Sequence, residues 1–297
     1  MITIMGATGN TGRPAVDRLL ILGEKVRVLG RSAERLKPLV MAGAEARVGD
    51  PADPVFLTQA IQGTEAVSVM IPPDYQAPDV LAYYDRVGTA AEQAIRRNRI
   101  RRVTFLSSLG AELPSGTGPI AGLGRQERRL SALGADVLFL RPSYFYENFY
   151  SAIPMIRQMG IIGGGIVPDA PFPMTAAHDV GIATADALHR RDWTGVTVRE
   201  LPGPRDYTMA ETTAMIGRAI GKPDLKYVQF PDAAFVQGLL QAGFSENAAH
   251  LFVEMAHALS DKTVHLLEVR NAKTTMPTSF ESWVEGFGKV YEKGEGH

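Results

Sequence analysis

The stretch MGATGNTGR, residues 5–13, places Gly6, Gly9 and Gly12 at regular three-residue spacing. The run MITI before it is apolar enough for a buried strand, and apolar residues recur at helical spacing after it. A strand, a glycine-rich turn and a helix in this order are typical of a dinucleotide-binding unit. The sequence therefore predicts that phosphate groups bind the free N–H groups at the positive end of the helix. The alternative is a tight turn that binds nothing.

Strand-like and helix-like segments alternate from this turn as far as Pro142. The strand-like segments are MITIM, KVRVLG, AEARV, EAVSVMI, RRVTFLSS and DVLFLRP. Because short links join strands and helices in alternation, the pattern predicts a parallel sheet with helices on both faces. We therefore expect an α/β protein with a Rossmann-type, doubly wound parallel sheet, whose nucleotide-binding domain spans residues 1–142.

The regular alternation of strands and helices ends after Pro142. Helical segments there surround the Gly/Pro-rich stretch GIIGGGIVPDAPFP. We read this stretch as a loop and the segments 208–220 and 231–260 as helices. Residues 143–297 are therefore predicted to form a smaller, mostly helical C-terminal lobe that binds substrate. It is expected to pack on the first domain as one unit, beside the carboxyl ends of the parallel strands.

The end of the second predicted strand, VLGRSAER, indicates which dinucleotide binds. Sites that select NAD carry an acidic residue here, whereas this chain has Arg31, with Arg35 one helical turn further on. A guanidinium binds a 2′-phosphate in a bidentate manner, so we predict NADP(H) in preference to NAD(H). The alternative is that both arginines are simply solvated. Asp50, after the third strand, could accept a hydrogen bond from the adenine amino group or cap the next helix.

Composition excludes several classes of function. The chain has 297 residues, a formal net charge of −1 and no cysteine, so no disulfide or thiolate chemistry is available. We expect no nucleic-acid partner, and the basic run at 96–102 is read as a solvated helix end. No apolar run is long enough to span a membrane, and the six histidines lack metal-ligand spacing. We expect a cytoplasmic protein without a metal.

These motifs together resemble the NmrA-like branch of the atypical short-chain dehydrogenase/reductases. The resemblance rests on segments along nearly the whole chain: GATGNTGR, LGRSAERL, GDPADP, FLSSLGAE, GRQERRLSALG, LRPSYFYENF, AHDVG and LPGPRDYTMAETTAMIGRAIGKP. It implies a Rossmann domain, NADP(H) binding and a small C-terminal lobe. The family includes quinone reductases, reductases of aromatic or iminium substrates, and a redox-sensing regulator.

The resemblance also implies that residues after the fourth, fifth and sixth strands approach the nicotinamide end of the cofactor. Combined with the glycine-rich turn and the second-strand end, this predicts the cofactor contacts Gly6, Thr8, Gly9, Asn10, Thr11, Gly12, Arg31, Arg35, Asp50, Ile71, Pro72, Ser107, Pro142, Tyr144 and Phe145.

One departure from the family pattern concerns the proton donor. The main short-chain family uses Tyr-x-x-x-Lys, and this motif is absent from the sequence. Related reductases often have a lysine at the position of Leu123, and the nearest basic residue here is Arg125, whose pKa is too high for proton transfer. The remaining candidates for a catalytic hydroxyl are Ser107, Ser108 and Tyr144. A plain role at the end of a strand is the alternative for the two serines.

The segment SYFYENFY concentrates aromatic residues directly after the sixth strand. Binding pockets combine aromatic walls with a few polar groups, so we predict that Tyr146 and Asn148 contact substrate, together with Tyr75 from the PPDYQAP loop. Packing in the core is the alternative for these aromatic residues.

The sequence thus predicts an oxidoreductase that transfers hydride from NAD(P)H to a small aromatic, quinone-like or iminium substrate without the Tyr/Lys pair. Such electron-poor molecules depend less on an enzyme acid than simple ketones do. The alternative is a non-catalytic protein that senses NADP(H) and reports its redox state to a protein partner.

Overall fold

A computed structural model describes residues 1–294, so positions 295–297 of the predicted C-terminal lobe lie outside the described residues. The strands are β1 (Ile2–Ile4), β2 (Val26–Gly30), β3 (Glu45–Val48), β4 (Ala66–Val69), β5 (Arg102–Leu106), β6 (Asp136–Pro142), β7 (Tyr144–Phe145), β8 (Ile161–Gly164), β9 (Phe172–Thr175), β10 (Val196–Leu201), β11 (Asp206–Tyr207) and β12 (Lys226–Gln229).

The α-helices are α1 (Gly12–Ile21), α2 (Ala33–Met41), α3 (Pro54–Ala60), α4 (Val80–Asn98), α5 (Ile120–Ser131), α6 (Ile153–Met159), α7 (Ala177–Arg190), α8 (Met209–Ala219), α9 (Asp232–Gln241), α10 (Glu246–Ser260) and α11 (Phe280–Lys293). A 3₁₀ helix spans Tyr146–Ala152.

The main sheet has seven strands in the order β10-β6-β5-β4-β1-β2-β3, and all neighbouring strands are parallel. Its central strands are buried on both faces, which is why they are almost continuously apolar in sequence. The strand order reverses between β1 and β4, and open α/β sheets bind ligands in the crevice at such a point. The prediction of a Rossmann-type, doubly wound sheet is confirmed.

The structure departs from the prediction in the Gly/Pro-rich stretch after α6. That stretch contains two short strands: β8 pairs with β12, and β9 lies between β7 and β11. The segment predicted as one helix over 231–260 is two helices, α9 and α10, separated at Gly243, whose φ is +87°. The strands were missed because their pairing partners are distant in sequence, whereas the helix break is a local turn at Gly243.

The chain also returns to the first lobe after β9. Strand β10 extends the main sheet beside β6, and α7 packs on α1 with Gly181 against the carbonyl oxygen of Thr11. A side chain at position 181 would collide with that oxygen, so the two helices can approach closely only with glycine there. The boundary after residue 142 therefore does not separate the sheet from the rest of the chain.

Asp179 on α7 connects the returning helix to the segment that precedes α11. Its buried carboxylate accepts hydrogen bonds from the backbone N–H of Thr278 at 2.8 Å and from the Thr278 hydroxyl at 2.9 Å. Hydrogen bonds to a charged group stabilise more than neutral ones, and their loss leaves buried donors without a partner. Asp179 thereby ties the C-terminal lobe to the sheet.

We expect Asp179→Ala to lower the free energy of unfolding by about 2–3 kcal/mol, because both Thr278 donors lose their acceptor. Asp186→Ala on the same helix is the matched control. It removes only a partly exposed ion pair with Arg18 and should cost less than about 1 kcal/mol. Urea unfolding followed by circular dichroism measures both, and equal losses would contradict the assignment of Asp179.

Candidate functional site

The first βα turn is folded so tightly that two of its glycines are obligatory. Gly6 has a φ of +65°, and a Cβ on it would lie 2.6 Å from the sulfur of Met70. A Cβ on Gly12 would collide with the carbonyl oxygen of Gly6. The N–H of Gly9 donates to that same oxygen at 3.0 Å. These contacts hold the turn against the sheet and bring the start of α1 to the edge of β1.

The amides that open α1 remain available to a ligand. In the described part of the chain, no group accepts a hydrogen bond from the backbone N–H of Asn10, Thr11 or Gly12. The side chain of Thr11, the N-cap, makes no capping hydrogen bond either. Unpaired N–H groups at the positive end of a helix form a binding site for phosphate. The turn therefore fits the pyrophosphate of a dinucleotide.

Two guanidinium groups lie beyond the end of β2. The side chains of Arg31 and Arg35 are exposed, and neither forms an ion pair with any carboxylate of residues 1–294. Arg31 and Asp50 both act electrostatically on the hydroxyl of Tyr83, whose pKa is raised mainly by burial. Arg31 and Asp50 therefore both lie near this phenol.

Asp50 does not cap helix α3. Its Oδ1 accepts a hydrogen bond from the N–H of Ala52 at 2.9 Å, whereas Asp53 is the N-cap and accepts from Val55 and Phe56. The capping alternative for Asp50 is therefore wrong. Its second carboxylate oxygen is free to accept another hydrogen bond, so its role with adenine stays a prediction.

The loop after β4 connects the sheet to the C-terminal lobe. It begins with buried Ile71 and half-buried Pro72. The ring of Tyr75 packs on Phe244, with ring centroids 5.3 Å apart, and on Phe252, at 4.9 Å. Tyr75 thus forms part of the contact between the lobes, and contact with substrate stays a prediction for it.

A buried ionic network occupies the carboxyl ends of β5 and β6. The hydroxyl of Ser107 donates to Glu127 Oε1 at 2.6 Å. Arg141 donates to both oxygens of Glu127, at 2.9 and 2.6 Å, and to Glu112 at 2.7 Å. Sequence reasoning missed Glu127, Glu112 and Arg141, since charged residues in a run such as GRQERR ordinarily face solvent. The burial of Glu127 and Arg141 depends on how α5 packs against the sheet, whereas Glu112 is exposed.

The hydroxyl groups of three serines at these strand ends differ in their hydrogen bonds. Ser107 already uses its proton with Glu127, so it can only accept a hydrogen bond from a ligand. Ser108 is half buried. The hydroxyl of Ser143, directly after β6, is buried and has no hydrogen-bond partner among the described residues. An unpaired buried hydroxyl at this edge suits a polar group of a bound cofactor.

Helix α5 carries no replacement for the missing tyrosine and lysine. Leu123 packs against the hydrophobic core, and Arg125 points to the surface, where it donates to Asp85 at 3.0 Å. Glu127 is the ionisable side chain of α5 that meets the strand end at Ser107. The arrangement holds the strand end in place and offers no proton relay of the Tyr-x-x-x-Lys type.

The aromatic segment after β6 divides into two groups. Tyr144 lies edge-on to Phe149 and Phe172. Burial raises the pKa of Tyr144 to about 12, so the phenol stays protonated at neutral pH. Asn148 itself is exposed.

Tyr146 belongs to the second group, and the prediction that it contacts substrate is wrong. Its side chain is fully buried, its hydroxyl donates to the carbonyl of Thr278 at 3.3 Å, and its ring packs on Tyr207 and Phe280. It therefore fills the core of the C-terminal lobe and has no surface to offer a substrate. Phe145 likewise packs against the core beside the main sheet.

Because the strands are parallel, the predicted cofactor residues gather along one edge of the sheet. The residues follow β1 to β6 in turn: Gly6 to Gly12, Arg31 and Arg35, Asp50, Ile71 and Pro72, Ser107, and Pro142 to Phe145.

No cluster of three His, Asp or Glu side chains within residues 1–294 could hold a metal ion. Over the same residues, no helix is both long and apolar enough to cross a membrane.

Comparison with known proteins assigns the family. The profile of the NmrA-like family matches residues 1–284. The chain belongs to the NmrA-like family. The match extends from β1 into the first turn of α11, so both lobes are included.

Relatives of this NmrA-like protein match along most of its length. The (4-alkanoyl-5-oxo-2,5-dihydrofuran-3-yl)methyl phosphate reductase of Streptomyces griseus is 31% identical over 258 residues, 86% of each chain. Quinone oxidoreductase 2 of Escherichia coli is 24% identical over 266 residues, again 86% of each chain. The crystal structure of an NADPH-dependent quinone oxidoreductase from Escherichia coli, complexed with NADPH, superposes with a TM-score of 0.81. It is 21% identical, and the match covers 97% of this chain and 99% of that one.

We expect Glu127→Ala to lower the free energy of unfolding by about 3–5 kcal/mol, because it leaves the buried guanidinium of Arg141 with less compensation. Arg125→Ala on the same helix is the matched control and should cost less than about 1 kcal/mol, since its pair with Asp85 is exposed. Chemical denaturation of both variants measures the difference. A Glu127 variant as stable as the control would show that the network does not hold the strand ends together.

Proposed function

We propose that this NmrA-like protein binds NADP(H) along the carboxyl edge of β1 to β6 and reduces a small, electron-poor aromatic or quinone-like molecule. The observation that carries the proposal is the first βα turn. Unpaired amides of Asn10, Thr11 and Gly12 lie at the same sheet edge as two guanidinium groups that have no carboxylate partner in the described residues. A pyrophosphate with a further phosphate at its adenosine end complements both features.

In this proposal the residues of the chain bind and orient the cofactor. The amides at the start of α1 hold the pyrophosphate, and Arg31 and Arg35 hold the 2′-phosphate. Asp50 accepts from the adenine amino group. Ser107 and Ser143 supply polar contacts after β5 and β6, where the nicotinamide end is expected.

Bound NADPH supplies a hydride ion for an electron-poor atom of the substrate. The protein contributes orientation and a site from which water is largely excluded. It has no Tyr-x-x-x-Lys pair, Leu123 is packed in the core, and Arg125 faces the surface. A substrate whose reduced form is stabilised internally, or takes its proton from water, suits such a site better than a simple ketone, for which a positioned acid gives roughly 10²–10⁴-fold.

The relatives support this choice of chemistry. The Streptomyces griseus relative is named as a reductase of an unsaturated, oxygen-containing ring, and the Escherichia coli relative as a quinone oxidoreductase. The Escherichia coli neighbour in structure was crystallised with NADPH. Transfer of these properties to this chain is part of the proposal.

We expect calorimetric titration to give heat with NADPH, and the NADPH absorbance band to decay when a quinone is added to the complex. Gly12→Ala should abolish both signals, because its Cβ meets the carbonyl oxygen of Gly6 and displaces the turn. Circular dichroism establishes that the variant is folded. A panel of quinones, an azo dye and a triarylmethane dye covers the proposed substrate class.

Two results would count against the proposed activity. The absence of heat with NADPH and with NADH would exclude dinucleotide binding altogether. Tight binding without NADPH oxidation by any acceptor would favour a non-catalytic sensor, whose protein partner would then be captured with one redox form of the cofactor only.

We expect Arg31→Asp to weaken NADPH binding roughly 100-fold and NADH binding less than about 3-fold, since only NADPH carries the 2′-phosphate. Arg47→Asp is the control, because Arg47 is also exposed and lies on β3, where it pairs with Glu45. Dissociation constants from calorimetry compare the two cofactors. Equal weakening of NADPH and NADH would remove Arg31 from the 2′-phosphate site.

A further inference from the structure

Helix α7 runs alongside α1 in the same direction. Near its start, a Cβ on Gly181 would lie 2.4 Å from the carbonyl oxygen of Thr11, the N-cap of α1. Further along, Asp186 of α7 forms an ion pair with Arg18 of α1 at 3.0 Å. Later residues of α7 therefore meet later residues of α1, and the first turns of the two helices lie side by side.

His178 lies on the face of α7 that meets α1. It precedes Gly181 by three residues, and residues three or four apart share one face of a helix. His189, on the same face near the end of α7, hydrogen-bonds to Glu24 just after α1 at 3.0 Å. Because the two helices run in the same direction, His178 lies level with the chain just before Thr11, which is the glycine-rich turn.

The expected reach of the His178 side chain agrees with this position. One residue rises about 1.5 Å along a helix, so His178 lies about 4.5 Å before Gly181 along the axis. Side chains of a helix also tilt toward its N-terminus. The backbone in contact with Gly181 is that of Thr11, whose N–H is one of the three unpaired amides at the start of α1. An anion bound to these amides would therefore lie beside the imidazole.

The imidazole of His178 is available to a ligand. Its side chain is 67% exposed, and Gly9 and Asn10 are exposed as well, so a ligand can reach this place from solvent. Nδ1 lies 3.5 Å from Asp179 Oδ1, and Nε2 makes no hydrogen bond within residues 1–294. The Nε2–H tautomer and the imidazolium both donate from this second nitrogen.

We propose that His178 donates a hydrogen bond from Nε2 to the pyrophosphate of the dinucleotide. This inference rests on the proposed function and adds to it a contact from the helix that returns from the C-terminal lobe. Hydrogen bonds to an ionised phosphate are stronger than those between neutral groups. Arg13, in the first turn of α1, is already engaged by both carboxylate oxygens of Asp17, at 3.0 and 2.8 Å.

This contact predicts which ligands depend on His178. NADPH, NADH and ADP-ribose share the pyrophosphate, whereas 2′-AMP has only the phosphate assigned to Arg31. Loss of the imidazole should therefore weaken the first three ligands alike and leave 2′-AMP unaffected. Loss of the Arg31 guanidinium should do the opposite for ADP-ribose and 2′-AMP.

His178→Ala tests the proposal by calorimetric titration with these four ligands. We expect the dissociation constants of NADPH, NADH and ADP-ribose to rise roughly 10-fold, and that of 2′-AMP to change less than about 3-fold. His189→Ala is the matched control, because it removes an exposed imidazole from the same face of α7 and should leave all four constants unchanged. The melting temperature of His178→Ala should equal that of the wild type, since the side chain is exposed.

Three results would overturn the inference while leaving dinucleotide binding in place. They are unchanged affinities in His178→Ala, equal losses for ADP-ribose and 2′-AMP, and a loss for NADPH without one for NADH. Equal losses would indicate a general disturbance of the turn, and a loss for NADPH alone would place His178 at the 2′-phosphate. A wild type that gives no heat with NADPH or NADH would instead overturn the proposed function, and this inference with it.

Discussion

The close approach between Gly6 and Gly12 is the constraint on which the candidate site depends. The carbonyl oxygen of Gly6 occupies the place where a side chain at position 12 would begin, and the same oxygen accepts from Gly9. Helix α1 therefore starts directly at the carboxyl end of β1, with its first amides unpaired. The positive end of the helix macrodipole is thereby fixed at the point where the strand order reverses.

Close packing around helix α1 requires small residues on its neighbours. Gly181 of α7 lies against the carbonyl oxygen of Thr11, so the helix that returns from the C-terminal lobe supports the turn from its outer side. Asp179, two residues earlier, binds the segment before α11. Helix α7 thus connects the glycine-rich turn with the segment before α11 in the second lobe. This is why the chain does not divide cleanly at residue 142.

The network of Ser107, Glu127 and Arg141 occupies the carboxyl ends of β5 and β6. Burying these charges is tolerable only because each is matched by hydrogen bonds of 2.6–2.9 Å. The network fixes the ends of β5 and β6 and holds the Ser107 hydroxyl as an acceptor. In the proposed site the Ser107 hydroxyl can therefore orient a bound group but cannot donate its own proton to it.

The sequence by itself determined the Rossmann-type fold and the NmrA-like family, because strand alternation and the G-x-x-G-x-x-G turn are local patterns with period and spacing. It also located the edge of the sheet where the candidate cofactor residues gather, since parallel strands end on the same side. It could not decide between the pocket and the core for the aromatic residues after β6. Tyr144 and Tyr146 look alike in sequence, yet one reaches the strand edge and the other is enclosed by Tyr207 and Phe280. Burial of Glu127 likewise arises from contacts with residues elsewhere in the chain, Ser107 and Arg141, which only the tertiary structure brings together.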